Sequence, residues 1–355
     1  MKHLPSAAGE QLFEEAEQRL AEMRVREAAE LFHRAERAAC DADSCAAGRW
    51  TCHMLAGDFA SAWKESDEIS GRANPDPHRF WDGKPIHGRH VLIRSLHGLG
   101  DTLQFIRYAP LIRELSKSLT IEVQPSLKSL IAGSHLADRV ITWGEPEPPW
   151  DQQIEVVELP RVFRTEIHTI PSHVPYLCSF PNGGGRALRS GKFKVGLVWK
   201  SSNFNPQRSL EAGQAAQLLG VKGSEFFSLQ AGPERHDMHP WRSLITDLQS
   251  DDPCVTTTAS VVSELDLVIT VDTMMAHLAG ALARPVWTLL PYQCDWRWML
   301  DRNDSPWYPT MRLFRQTTPG NWNDVVERVR MELETLLGTK ARRQSQVLVR
   351  ALQAE

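Results

Sequence analysis

The chain has 355 residues, a formal net charge of −4 and 24% charged residues. It is long enough for two or three domains with sizeable cores, and it lacks the basic excess that would point to nucleic acid. Six cysteines are too sparse for a disulfide framework. No apolar stretch of signal-peptide type occupies residues 1–9, and no apolar run of about eighteen residues occurs, so no membrane span is expected. The composition fits a bacterial, cytoplasmic protein, with peripheral attachment at the inner membrane left open.

Residues 1–72 read as an all-α segment. Phe13, Ala16, Leu20 and Met23 share one helical face, and Ala28, Leu31, Phe32 and Ala35 continue the pattern in a second helix. Ala46, Trp50 and Met54 follow, then a break at Gly57-Asp58, then Ala60, Ala62 and Trp63. Helix pairs with Ala-rich faces and short breaks resemble tetratricopeptide repeats. About two units fit, fewer than a free-standing solenoid needs, so the segment is expected to dock on the rest of the chain. Cys40, Cys45 and Cys52 lie near His53, but their spacing matches no zinc pattern, and buried helix thiols are the simpler reading. No metal is expected.

Asn74-Pro75-Asp76-Pro77 has the composition of a linker. Beyond it, strands at 90–94, 119–123 and 139–141 alternate with helices at 102–115 and 127–132, which predicts a parallel α/β lobe over residues 73–182. The glycines of residues 181–185 suggest an interlobe linker. The alternation then restarts in a second lobe, residues 183–338. Strands are expected at 194–199, 226–229, 267–270 and 286–290, and helices at 212–219, 261–264, 274–283 and 322–337. Residues 339–355 form a charged tail. Two Rossmann-like lobes of this kind imply a ligand cleft at the C-terminal edges of their strands.

The loops at those edges carry the candidate chemistry. Strand 90–94 leads into Gly98-Leu99-Gly100-Asp101, where glycines permit a tight turn and a ligand against the amides. Asp101 is either a helix cap or a catalytic acid/base. In the second lobe, Asp272 or Thr273 caps a helix whose Thr273, Met274 and Met275 amides suit a pyrophosphate. His277 lies one turn on, as a ligand contact or a core histidine. Lys200, Ser201 and Arg208 follow one strand and suit phosphate. Gln230 follows another, placed to meet a nucleobase or ribose. Trp296, Arg297 and Trp298 offer aromatic planes that either stack a sugar or base or pack beneath the cleft.

The ordered phrases GLGDTLQF (98–105), VGLVWK (195–200), FFSLQAG (226–232) and DLVITVDTMMAHLAGALARPVWTLLP (266–291) resemble glycosyltransferase family nine, the group of ADP-heptose:lipopolysaccharide heptosyltransferases. WDG-x-P (81–85) and DWRWMLDRNDSPWYPTMRLFRQ (295–316) are similar to a branch of it that carries tetratricopeptide repeats. The resemblance spans about residues 79–336. It implies a GT-B pair of lobes, with acceptor at the first and nucleotide-sugar donor at the second. It further implies inverting, metal-independent transfer to a glycan or protein, without a cofactor. Asp101 matches the family's proposed base, Asp272, Thr273 and His277 its donor-phosphate motif, and Lys200 its donor loop. Two departures stand out. The loop at 201–208 is short and weakly basic, and Met274 and Met275 replace smaller residues. The helical segment suggests a protein partner or self-association. A rival reading is a non-catalytic scaffold with a degenerate transferase lobe. A nicotinamide oxidoreductase is disfavoured because the third glycine of the dinucleotide fingerprint is missing.

Overall fold

The computed structural model describes residues 6–73, 76, 79–179, 188, 191–202, 204–249 and 254–352, with side chains through residue 339. Most of residues 74–77 and all of 181–185, the two expected linkers, lie outside the described residues. The chain forms two compact units. Residues 1–177 and 293–309 make the first, and residues 178–292 and 310–355 the second.

The first unit opens with helices α1 (Ala7–Ala21), α2 (Val25–Arg37), α3 (Ala42–Ala56) and α4 (Phe59–Ala73), each packed on the next. The alanines of the apolar faces let the helices approach closely, and Ala16, Ala28, Ala35, Ala46 and Ala62 are all fully buried. At Gly48 an added Cβ would lie 2.5 Å from the ring of Phe32, so only glycine lets that ring sit flat on α3. Gly57, at φ 77°, ends α3 in the left-handed region and produces the expected break. Arg49 is held by Glu36 and Glu65 at 2.6 and 2.7 Å. Cys52 is buried, which pushes its thiol up to about 12, and so it behaves as a small apolar residue.

A four-stranded parallel sheet follows: β1 (His90–Arg94), β2 (Ser118–Val123), β3 (Arg139–Thr142) and β4 (Gln152–Glu155), in spatial order β3-β2-β1-β4. Helices α5 (Leu99–Phe105), α6 (Ala109–Leu115), α7 (Lys128–Gly133) and α8 (Leu159–Val162) connect and flank the strands. The single helix expected over 102–115 is broken by a 3₁₀ turn at Ile106–Tyr108, because Pro110 takes the first turn of a new helix and cannot continue an old one. The residues 293–309 close this unit as a strap. Leu300 N–H donates to Leu55 O at 2.8 Å. Trp296 meets Trp50 edge-on at 5.4 Å, and Trp307 stacks on Phe59 at 6.1 Å. Arg107, buried beneath the strap, donates to Trp307 O and stands 4.5 Å from the centre of the Tyr308 ring.

The second unit is a six-stranded, wholly parallel sheet. Its strands are β5 (Phe193–Val198), β6 (Ser224–Ser228), β7 (Ile245–Asp247), β8 (Leu267–Val271), β9 (Val286–Leu290) and β10 (Met311–Arg315), in order β10-β9-β8-β5-β6-β7. Every residue of β8 and β9 is buried, as strands covered on both faces must be. Helices α9 (Ala212–Ala215), α10 (Val255–Glu264), α11 (Met274–Ala281) and α12 (Trp322–Leu352) complete it. Helix α10 is longer than expected because burial of Val255, Thr258, Ala259, Val261 and Val262 overrides the weak helix propensity of Val255-Thr-Thr-Thr, while Thr258, Ser260 and Ser263 satisfy their hydroxyls on carbonyls four residues back. Helix α12 also runs on past its expected end into the charged tail. No helix among the described residues is long and apolar enough to cross a membrane.

Candidate active site

Each sheet reverses its direction of growth once. In the first, the chain builds outward from β1 through β2 to β3 and then places β4 on the other side of β1. In the second, β5, β6 and β7 extend one way and β8, β9 and β10 the other. Flanking loops diverge at such a reversal and leave a crevice at the strands' C-terminal ends. Asp101 follows β1, Lys200 follows β5 and Asp272 follows β8, so the candidate residues cluster where their own unit's sheet opens.

In the first unit, Gly98 is the N-cap of α5 and Asp101 its third helical residue. One oxygen of Asp101 accepts the Gly98 amide at 2.9 Å, so this residue does cap its helix. Its other oxygen accepts from the Arg297 guanidinium. The side chain is still 24% exposed. Leu99 and Gly100, half-buried, form the first turn of the helix. Gln124 at the end of β2 fixes the turn from behind, accepting from the Thr102 hydroxyl at 3.0 Å and donating to His97 O at 2.8 Å.

Two further residues, neither marked as functional by a sequence motif, complete this turn. Glu155, at the end of β4 across the reversal, accepts from the Leu96 and Val157 amides at 3.0 and 2.9 Å. Burial raises its pKa above the ordinary carboxylate value. Its strand, Gln-Gln-Ile-Glu, is short and carries no alternation that would have announced it. In the sequence Arg297 is notable only for its aromatic neighbours. Those neighbours are packing elements: Trp298 is fully buried, and Trp296 lies between Phe105, Trp50 and Trp307.

In the second unit, Thr273 is the N-cap of α11, and its hydroxyl accepts the Met275 amide at 3.2 Å. That amide, expected to face a ligand, is therefore taken up by the cap. Asp272 is buried, 3.6 Å from a terminal guanidinium nitrogen of Arg208. Arg208 is carried there by a 3₁₀ turn at Pro206–Arg208, which Asn205 caps by accepting from Gln207 N–H at 3.1 Å. Lys200 lies 3.5 Å from Asp237, and the Ser201 amide donates to the Ser209 hydroxyl at 3.0 Å. Met274 is half-buried, whereas Met275 and His277 are buried. Gln230 is turned inward. It accepts from the Trp199 and Lys200 amides and donates to the Lys200 and Ala231 carbonyls, at 2.9–3.2 Å. All four hydrogen-bonding positions of the carboxamide are filled by backbone. Gln230 thus braces the loop after β5 against the loop after β6, and the nucleobase contact expected of it gives way to that role.

No family profile matches the chain. In sequence it is 24% identical over 323 residues to the protein FlbA of Caulobacter vibrioides, a match covering 79% of this chain and 53% of that protein. The chain therefore spans about half the length of that curated relative. Among solved structures it is similar to a family 9 glycosyl transferase from Veillonella parvula, at 12% identity and a TM-score of 0.54, over 71% of this chain and 98% of that one. It is similar also to the ADP-heptose LPS heptosyltransferase II of E. coli, at 13% identity and a TM-score of 0.54, over 71% and 99%. The E. coli heptosyltransferase WaaC, solved with ADP-2-deoxy-2-fluoro heptose, matches at 14% identity and a TM-score of 0.50, over 69% and 99%. At these identities the likeness is one of fold alone.

Proposed function

We propose that the protein is an inverting, metal-independent glycosyltransferase of family nine. It moves a sugar from a nucleotide-diphosphate donor to a hydroxyl of a glycan or protein acceptor. The observation that supports this most is topological. The residues matching the family's base and its donor-phosphate motif, Asp101 and the turn at Asp272, lie far apart in the sequence, yet in a fold shared with heptosyltransferases each follows a strand bordering the reversal of its own sheet. Random retention of a Gly-Leu-Gly-Asp turn and an Asp-Thr-x-x-x-His turn does not require that placement.

In this reading Asp101 accepts the proton of the acceptor hydroxyl as that oxygen attacks the anomeric carbon. The start of α11 at Thr273 and Met274, with Lys200 and Arg208, stabilises charge growing on the departing diphosphate. Ser201 supports the donor loop, and Asp272 holds Arg208 in place. Met275 and His277 line the buried side of the donor turn. The acceptor side is shaped by Gly98, Leu99 and Gly100. The helices α1–α4 are read as two tetratricopeptide-type units serving a protein partner or self-association, in a cytoplasmic enzyme able to attach peripherally at the inner membrane.

The test is a panel of nucleotide sugars, ADP-heptose among them, incubated with the protein and cell lysate. Mass spectrometry follows released nucleotide diphosphate and labelled acceptor. One donor should be consumed by the wild type, while Asp101→Asn binds the same donor and fails to transfer it. Binding of none of the donors, or equal turnover by both proteins, refutes the reading.

A further inference from the structure

Arg297 reaches Asp101 from the strap, almost two hundred positions later in the sequence, and its guanidinium is held on every side. Its Nε donates to Gln104 Oε1 at 2.7 Å, and Nη1 to both oxygens of Asp295 at 2.9 Å. The rings of Phe105 and Trp296, stacked on each other with planes 11° apart, stand 5.3 and 4.9 Å from it. Asp295 is itself fixed as the cap of the Trp296–Trp298 turn. Gln104 must turn its oxygen to Arg297, and its buried Nε2 has no partner among the described residues. Asp295 alone would neutralise the arginine. The remaining nitrogen, Nη2, is thereby presented to Asp101 in a fixed direction.

We propose that Arg297 is a positioning residue for Asp101, an inference that rests on the transferase reading. With the Gly98 amide on one carboxylate oxygen and Nη2 on the other, the carboxylate cannot rotate. Each oxygen keeps a further acceptor position for an incoming hydroxyl. A planar fork with several donors suits this task, and a lysine would supply charge without the geometry.

The experiment compares wild type, Arg297→Ala and Arg297→Lys by kcat and KM for transfer, donor binding by calorimetry, and melting temperature. Arg297→Ala should lose about 100-fold in kcat through misplacement of the base, with KM for the donor unchanged. Added guanidinium ion should restore part of that rate, and this rescue should vanish when Asp101→Asn is also present. Arg297→Lys should fall between the two. A folded Arg297→Ala enzyme that matches or exceeds wild type, or that guanidinium does not rescue, overturns the proposal. Should the alanine variant fail to fold, Arg297→Lys at the wild-type rate overturns it equally. Absence of transfer by the wild type is a separate result, which removes the transferase reading and this inference with it.

Discussion

The turns after β1 and β8 both pass from a buried parallel strand through an acidic residue into a helix, yet their acids are held in different ways. Asp101 touches an amide of its own turn and an arginine from a distant segment, and keeps 24% of its side-chain surface open. Asp272 keeps only 6% and faces the arginine of a neighbouring loop, while the capping passes to Thr273. Similar local patterns therefore leave one acid partly open to solvent at its turn and bury the other beside a cation. What separates them is tertiary: which arginine arrives, and how much water is left.

The comparison breaks most readily at Asp101. Its replacement by Asn should lower transfer by about 10²–10⁴-fold, measured as initial rates, while the denaturation midpoint stays close to wild type. Asp272→Ala should differ in kind, lowering stability as well as slowing transfer through the misplaced Arg208. It leaves Arg208 facing a void and should lower unfolding free energy by roughly 3 kcal/mol, seen as a shift in denaturant midpoint at constant slope. A loss much below 1 kcal/mol would mean that the Asp272–Arg208 pair is not structural. A finer cut is Thr273→Ala, expected to cost about 1 kcal/mol for the lost cap, by the same measurement.

The smallest effect concerns Glu155, whose carboxyl is raised by burial. A raised folded-state pKa means that the native protein holds this proton more tightly than the unfolded chain. Its contribution to stability is full below the unfolded pKa and is lost as pH rises through the folded one. Glu155→Gln should flatten that fall in a series of melting temperatures across the carboxylate range. Parallel curves for the two proteins would argue against a raised carboxyl at this position.

Much of this was readable from the chain. Period-3.6 alanines gave α1 to α4, and unbroken apolar runs gave β1, β5, β8 and β9, because strands covered on both faces carry little else. The glycines before Asp101 and the Asp-Thr before Met274 marked the two turns. Edge strands were the losses. β4, β7 and β10 are three to five residues long, and only their neighbours in the sheet make them strands. Gln230 looked like a loop residue free to meet a ligand, and nothing local says that four backbone groups converge on it. The partnership of Arg297 with Asp101 was equally invisible, since it depends on a strap that follows β9 in the chain but folds with the first unit.

That strap also governs how the protein can be cut. A fragment ending at residue 177 would be continuous as a gene and incomplete as a fold. It would lack Trp307 and Tyr308, uncover Phe59 and Phe105, and strip Arg107 of its carbonyl acceptor at Trp307. An expressible first half must therefore have residues 293–309 grafted back through a designed connector, and truncation boundaries drawn from the linear order alone would yield an aggregating product.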